Sequence, residues 1–397
     1  MLANKKPFLT LLLMISFASV NAVLFTPALP NITQFFNIST STAQQTITWF
    51  LVGYTLGQLI YGPLANRFGR KPALYLGISL QIVSSLLCSI AGQENYLLLL
   101  IGRFLLALGS GVGLKMTFTL VNECYESPSA NQKISYLILA FAITPGLAIS
   151  LGGFLNDCWG WQSCFYASAV YGLILLLLCF RLPETKLQLD FNAFKIKHLF
   201  HEYFSQFKNG QLILGGVLMG CASSFIYIFS ALAPFIAMNI LGMKSTEYGI
   251  ANILPSIGLC MGSILSAQFA KRYSQLTGVK FGILVTLISI LFMFAMIMIL
   301  QQLPWFKIFI PISFCYLGLA FIFPNASTLA MHQVLNKANG SAVMNFINMG
   351  LVTLIVLNLN YFVITEHLLS WIYLIICMAM IMLVQIIQNK MKESINI

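Results

Sequence analysis

The chain has 397 residues, of which 59% are hydrophobic and only 8% charged, with a formal net charge of +11. A soluble domain carries about 25% charged residues, so this composition excludes an ordinary water-soluble globule. The basic excess sits in short connectors between apolar runs, which reads as a loop bias and not as a nucleic-acid surface.

About twelve apolar stretches, most near 20 residues long, alternate with polar connectors. A helix of that length crosses the roughly 30 Å hydrocarbon core of a bilayer. Only helices and closed barrels hide their backbone polar groups there. The expected fold is therefore all-α and membrane-integral, with twelve transmembrane helices in two six-helix bundles. In chain order the helices are expected over 8–28, 46–65, 73–92, 97–120, 134–156, 162–181, 210–236, 247–270, 281–302, 307–331, 341–364 and 368–388. The first is too long, and lacks a small-residue cleavage site, for a removed signal peptide.

The lysines and arginines orient the chain. With the N-terminus inside, all those in connectors fall on the cytoplasmic side except Lys244 and Lys307. Both termini are then cytoplasmic, in an inner (cytoplasmic) membrane, and the five tryptophans lie near outer helix ends. The domain reading is an N-terminal bundle over 1–181, a cytoplasmic linker over 182–209 and a C-terminal bundle with a short tail over 210–397. In the linker, Phe191, Phe194, His198, Leu199, Tyr203 and Phe207 recur at helical spacing among lysines, the pattern of a basic amphipathic helix on the inner leaflet.

Gly57-Gln58-Leu59-Ile60-Tyr61-Gly62-Pro63-Leu64-Ala65-Asn66-Arg67-Phe68-Gly69-Arg70-Lys71-Pro72 joins the second and third stretches. It resembles the signature loop of the major facilitator superfamily, in the form of the Bcr/CflA-type drug efflux branch, a 12-span drug:proton antiporter group. The resemblance covers nearly the whole chain. Arg103 to Gly111 is similar to the family's RFLQALG segment. Thr144-Pro145 with Gly152-Gly153 partly matches its proline-glycine antiporter motif. Gly160-Trp161-Gln162, Leu182-Pro183-Glu184-Thr185, Phe323-Pro324-Asn325-Ala326 and Gly340-Ser341-Ala342 match further segments. The family implies two halves, built of inverted three-helix repeats, rocking around a central site. Gating residues implied by the match are Gly62, Asn66, Arg67, Gly69, Arg70, Lys71, Pro145, Gly152 and Gly153. Three positions depart from the family pattern. Asn66 replaces the signature Asp, which predicts a weaker conformational lock. Ile149, after Ala148, stands where the second proline of the span-five motif is expected. Val23 stands before Pro27-Ala28-Leu29-Pro30 where relatives often carry an acid.

None of the ten acids lies well inside an expected span, and the four histidines sit in loops or at helix ends. Arg103 and Lys115, both in the fourth stretch, are the cations within the membrane. A cation at bilayer depth costs about 2.5–3.5 kcal/mol on insertion scales, so it faces a wet cavity or a partner. Arg103 either contacts substrate, organises the cavity or bonds helix-end carbonyls. Lys115 is a second cavity charge or snorkels toward the inner interface. Asn21, Asn325, Asn345 and Asn348 either line the cavity or glue helices together. Pro145, Pro311 and Pro324 fall within stretches and suggest kinks. Glu123, at the inner end of the fourth stretch, is the nearest acid for proton coupling.

The nine cysteines show no CxxC and no metal-site spacing, so no metal or other cofactor is expected. Cys158 and Cys164 flank an outer connector, where two free thiols are preferred over a disulfide. No nucleophile–base pair and no GxxxxGK[ST] run is present, which argues against an enzyme or an ATP-driven pump. The leading reading is a secondary active exporter of small molecules working by alternating access. A drug or an endogenous metabolite is the cargo, with anionic or neutral cargo favoured. The alternative is a dedicated transporter of one anionic metabolite, such as a carboxylate siderophore, in either direction; a transporter-derived sensor is more remote. The expected partners are that small-molecule substrate and membrane lipids around a monomer, with protons or the membrane potential as driving force.

Overall fold

The computed structural model describes residues 7–125, 129–186, 188–191, 193, 203–299, 305–332, 334 and 337–395. Helices dominate throughout, and no strand occurs among the described residues. The chain divides into two compact units, Met1–Glu202 and Tyr203–Ile397.

The first unit holds six spans. They are α1 (Phe8–Phe36), α2 (Thr40–Phe68), α3 (Arg70–Ser89), α4 (Tyr96–Cys124), α5 (Ser129–Trp159) and α6 (Gln162–Cys179). The second unit holds α7 (Gly210–Ile240), α8 (Ser245–Phe269), α9 (Gln275–Ile299), α10 (Phe306–Met331), α11 (Lys337–Leu359) and α12 (Glu366–Ile395). All but α2 are apolar along a full membrane-crossing length. Thr, Gln and Ser residues make α2 more polar, yet its 29 residues are long enough to cross. Most helices begin or end a few residues beyond the apolar stretches. Their ends lie where headgroups and water no longer penalise polar side chains, so hydrophobicity alone does not mark them.

The largest difference from expectation is in α1, where a single helix over 8–28 was expected. The helix Pro7–Val23 stops, a 3-10 turn covers Thr26–Ala28, and a second helix runs Leu29–Phe36. Pro27 has no N–H to give and Pro30 repeats the interruption, so the chain breaks but resumes. Asn37, at φ 51° in the left-handed region, then ends the span. By contrast Pro63, Pro145, Pro311 and Pro324 all lie within continuous helices.

The core of the first unit packs Leu11, Met14 and Phe17 of α1 against Tyr61 of α2, Leu74 and Ile78 of α3, Met116 of α4 and Leu175 of α6. Large apolar side chains such as Leu76, Val83, Ile90, Leu147 and Leu177 stand exposed, as expected where the solvent is hydrocarbon. In the second unit Phe225, Phe229, Tyr248, Phe309, Tyr316 and Tyr373 form a buried aromatic cluster. Of the expected amphipathic linker helix, Phe194, His198 and Leu199 lie outside the described residues. Phe191 instead packs under Arg67 of the first unit, 4.3 Å from its guanidinium. Cys164 is buried with its thiol on the Gly152 carbonyl, whereas Cys158 is exposed.

Candidate functional site

The break in α1 leaves helix-end carbonyls that need donors. An α-helix exposes its last four carbonyls, and in hydrocarbon no water meets them. Here each has a partner. The Leu24 N–H donates to Val20 O at 2.9 Å. Arg103 donates from Nη1 to Asn21 O at 2.9 Å and from Nη2 to Ala22 O at 3.5 Å. The Thr26 hydroxyl donates to Val23 O at 2.8 Å. The third Arg103 nitrogen, Nε, donates to Thr46 O of α2 at 3.3 Å. The guanidinium plane lies between Phe25 and Phe50, 3.9 and 4.5 Å from their centroids. A helix C-terminus and two aromatic faces are favourable surroundings for a cation. Arg103 is 1% exposed and has no acidic partner among the described residues. Of the roles considered from sequence, this geometry matches the helix-end carbonyl role.

Asn21 carries the site outward into a buried polar cluster. Its amide donates to Phe17 O at 2.7 Å, and its Oδ1 accepts from Gln81 Nε2 of α3 at 2.8 Å and from the Ser168 hydroxyl of α6. Gln81 also donates to Ser85 and to Ser168. Gly152 of α5 closes the other side: a Cβ there would lie 1.7 Å from the Leu24 carbonyl oxygen. The antiporter-motif glycine therefore lets α5 touch the broken backbone itself. Its neighbour Gly153 is buried as well. Gln81, Ser85 and Ser168 were not singled out from sequence. The signal was present, since Gln81 is an amide in the middle of an apolar stretch and Ser85 follows one turn later.

The signature loop forms a second cluster at the opposite end of α4. Gly69 takes φ 103° between α2 and α3, and the Glu184 carboxylate accepts from the Arg70 and Lys71 N–H groups, both at 2.9 Å. An anion at a helix N-terminus is stabilising. Arg70 donates to Glu123 from Nη2 at 2.7 Å and to Asn66 Oδ1 from Nη1 at 3.0 Å. Thr185 donates its hydroxyl to the same Glu123. Lys71 reaches Phe180 O at 3.1 Å, and Asp190 N–H donates to Asn66 O at 3.0 Å. Asn66 thus keeps the hydrogen bond to Arg70, while Glu123 supplies the negative charge that the Asp-to-Asn departure removes. Glu123 is the counter-ion of Arg70 in this cluster. Replacing Glu184 with Ala is expected to lower stability by about 1 kcal/mol through the lost cap, readable as a shifted thermal transition of the purified protein in detergent.

Lys115 is half-buried in the seam between α2 and α4, with Nζ 3.5 Å from Gln58 O and filling the space above Gly62, toward the signature-loop end of α4. A Cβ at Gly62 would lie 2.5 Å from that nitrogen. In the second unit Asn325 is buried on Gly278 of α9 and donates to Phe321 O at 2.8 Å, a helix-joining position. Asn348 is buried on α11 with no partner for its Oδ1, and Asn345 is half-buried one turn earlier.

The model of the Major Facilitator Superfamily matches residues 11–357. The chain belongs to the major facilitator superfamily. An uncharacterized transporter of Rickettsia felis is 28% identical over 269 residues, covering 68% of this chain and 65% of that one. Multidrug resistance protein D of Escherichia coli is 26% identical over 283 residues, covering 69% and 68%. The Bicyclomycin resistance protein homolog of Haemophilus influenzae is 22% identical over 270 residues, covering 67% of each chain. The match to the Rickettsia relative spans just under two thirds of that protein's length. These relatives match the Bcr/CflA-type branch. A solved D-xylose-proton symporter shares the fold, with a TM-score of 0.78 at 16% identity over 95% of this chain and 96% of that one. The fold of this chain is the twelve-helix fold of the major facilitator superfamily, a family of transporters.

Proposed function

We propose that this major facilitator protein exports small neutral or anionic molecules from the cytoplasm by alternating access. Export is supported by the relatives whose names carry drug resistance. The cargo class rests on one observation: the charge of Arg103 is buried in the first unit without an acid beside it. The described acids of the spans all sit in terminal turns, as with Glu123, Asp157, Glu247 and Glu366. The membrane interior of the first unit therefore carries a cation that dipoles and ring faces stabilise but no acid neutralises, and this net positive charge disfavours a cationic cargo and favours an anion. Arg103 acts by holding the α1 break in shape, and Arg70–Glu123 by fixing the signature loop. The boundary of the two halves falls in the 182–209 connector.

An interior-negative potential drives anions outward, by about 2.3 kcal/mol per charge per 100 mV. Untargeted mass spectrometry of cells and medium from a deletion strain and its complemented control tests the reading. A neutral or anionic compound retained in the deletion cells and missing from their medium is the expected result. A retained organic cation overturns the cargo class. For a monoanion, collapsing 100 mV with valinomycin and potassium is expected to lower the steady-state gradient about fiftyfold.

A further inference from the structure

The α8–α9 corner of the second unit is the counterpart of the signature loop, but its cations are not held in the same way. Arg70 and Lys71 bond Glu123, Asn66 and the Phe180 carbonyl. Lys271 and Arg272 are exposed, and neither has an acidic partner among the described residues. Beneath them opens a cavity of about 580 Å³. Its walls are Leu265 and Phe269 of α8, Tyr273 of the corner and Phe281 of α9, and its floor is Phe321 of α10. Phe269 stacks on Tyr273 at 4.3 Å and on Phe281 at 5.3 Å.

The cavity is the mouth of a longer groove. Gly258 and Gly262 seat α8 on Ser313, Leu317 and Ala320 of α10. Gly278 and Gly282 seat α9 on Gly318, Ile322 and Asn325 of the same helix. At 100° per residue, Phe314 and Phe321 fall on one α10 face between those two contact lines. Phe321 floors the cavity, and Phe314, about 10 Å further along the helix, is 50% exposed. Leu265 and Met261 of α8 and Phe281 and Ile288 of α9 are exposed along the two helices. An apolar channel with a dicationic mouth fits a ligand with an anionic head and hydrocarbon chains. The lysine and arginine distribution puts that mouth at the inner headgroup level, where anionic phospholipids are the abundant species of that shape.

We propose that the α8–α9 groove binds one anionic phospholipid, its phosphate on Lys271 and Arg272 and an acyl chain along Leu265, Phe281, Phe321 and Phe314. The inference is independent of the cargo. Native mass spectrometry of the full-length protein released from nanodiscs, containing equal phosphatidylglycerol and phosphatidylcholine, is the test. The wild type is expected to retain phosphatidylglycerol preferentially. The Lys271→Gln/Arg272→Gln variant should retain about thirtyfold less, at about 1 kcal/mol per juxtamembrane cation. Lys280→Gln, which removes an exposed cation bonded to Gln388, should retain it as the wild type does. Leu265→Trp keeps both cations and fills the groove, and should also lose the lipid. Equal retention of the two lipids overturns the proposal, as does unchanged retention in the double variant. Displacement by millimolar inorganic phosphate, with Leu265→Trp binding normally, would assign the cations to free phosphate and overturn the lipid as occupant.

Discussion

Replacing Arg103 with Ala is expected to reduce transport tenfold or more while the protein still inserts. The stability change comes from opposed terms. Removing the side chain strands the Asn21 and Ala22 carbonyls in a dry site, at about 1–3 kcal/mol each, and removes two ring contacts worth about 1–2 kcal/mol together. Against this, deleting a buried cation relieves about 2.5–3.5 kcal/mol of insertion cost. The residue is a net loss of about 2 kcal/mol, which a twelve-helix protein survives. Transport is more sensitive than folding, because a shift of about 1.4 kcal/mol between working and non-working conformers is already tenfold. Arg103→Lys separates charge from geometry. A single ammonium cannot serve carbonyls on α1 and α2 together or lie flat between Phe25 and Phe50. It is expected to fold as the wild type does and to transport at a reduced rate. Full-rate transport by a normally inserted Arg103→Ala protein would sink the role assigned to Arg103.

The succession of helices was legible because bilayer thickness sets a minimum apolar length for each span. The signature loop was legible because its residues are local. What failed to show were partners far apart in the chain. Arg103 stands out as a buried cation in sequence, but two of its acceptors lie some 80 residues earlier and exist only because Pro27 breaks α1. Hydropathy does not register that break, since Leu24, Phe25, Ala28 and Leu29 remain apolar and buried through it. In sequence Glu123 stands out only as the acid nearest the spans. Its counter-ion Arg70 comes from the other end of an intervening hairpin, 53 positions away. Lys115 was ambiguous for the same reason: Gly62, which makes room for its ammonium, belongs to another helix. Periodicity reports which face of a helix is apolar, never which neighbour that face meets.

The two motif glycines make opposite predictions. A Cβ at Gly152 would meet Leu24 backbone, 1.7 Å from the oxygen and 2.8 Å from the carbonyl carbon. Gly152→Ala therefore forces α5 and α1 apart by more than 1 Å at the point where Arg103 holds the break. Overpacking of this kind costs about 1–3 kcal/mol, and the displaced backbone also strains the Arg103 bonds. Loss of most transport and a lowered thermal transition are expected. Shortening Leu24 to Ala should give no rescue, because the obstruction is main chain. A Cβ at Gly62 would meet only the end of the Lys115 side chain, Nζ at 2.5 Å and Cε at 3.2 Å, which is flexible and turns aside at little cost. Gly62→Ala should fold normally and lose little transport. Gly92, with nothing within 4 Å of an added Cβ, is the neutral control. Thermal transitions and flux of the three alanine variants order the outcome. If Gly152→Ala behaves like Gly92→Ala, then α5 does not rest on the α1 break and the motif glycine needs another explanation. If Gly62→Ala is the more damaging of the pair, the ammonium of Lys115 is fixed by more than the Gln58 carbonyl, and the signature loop depends on its position.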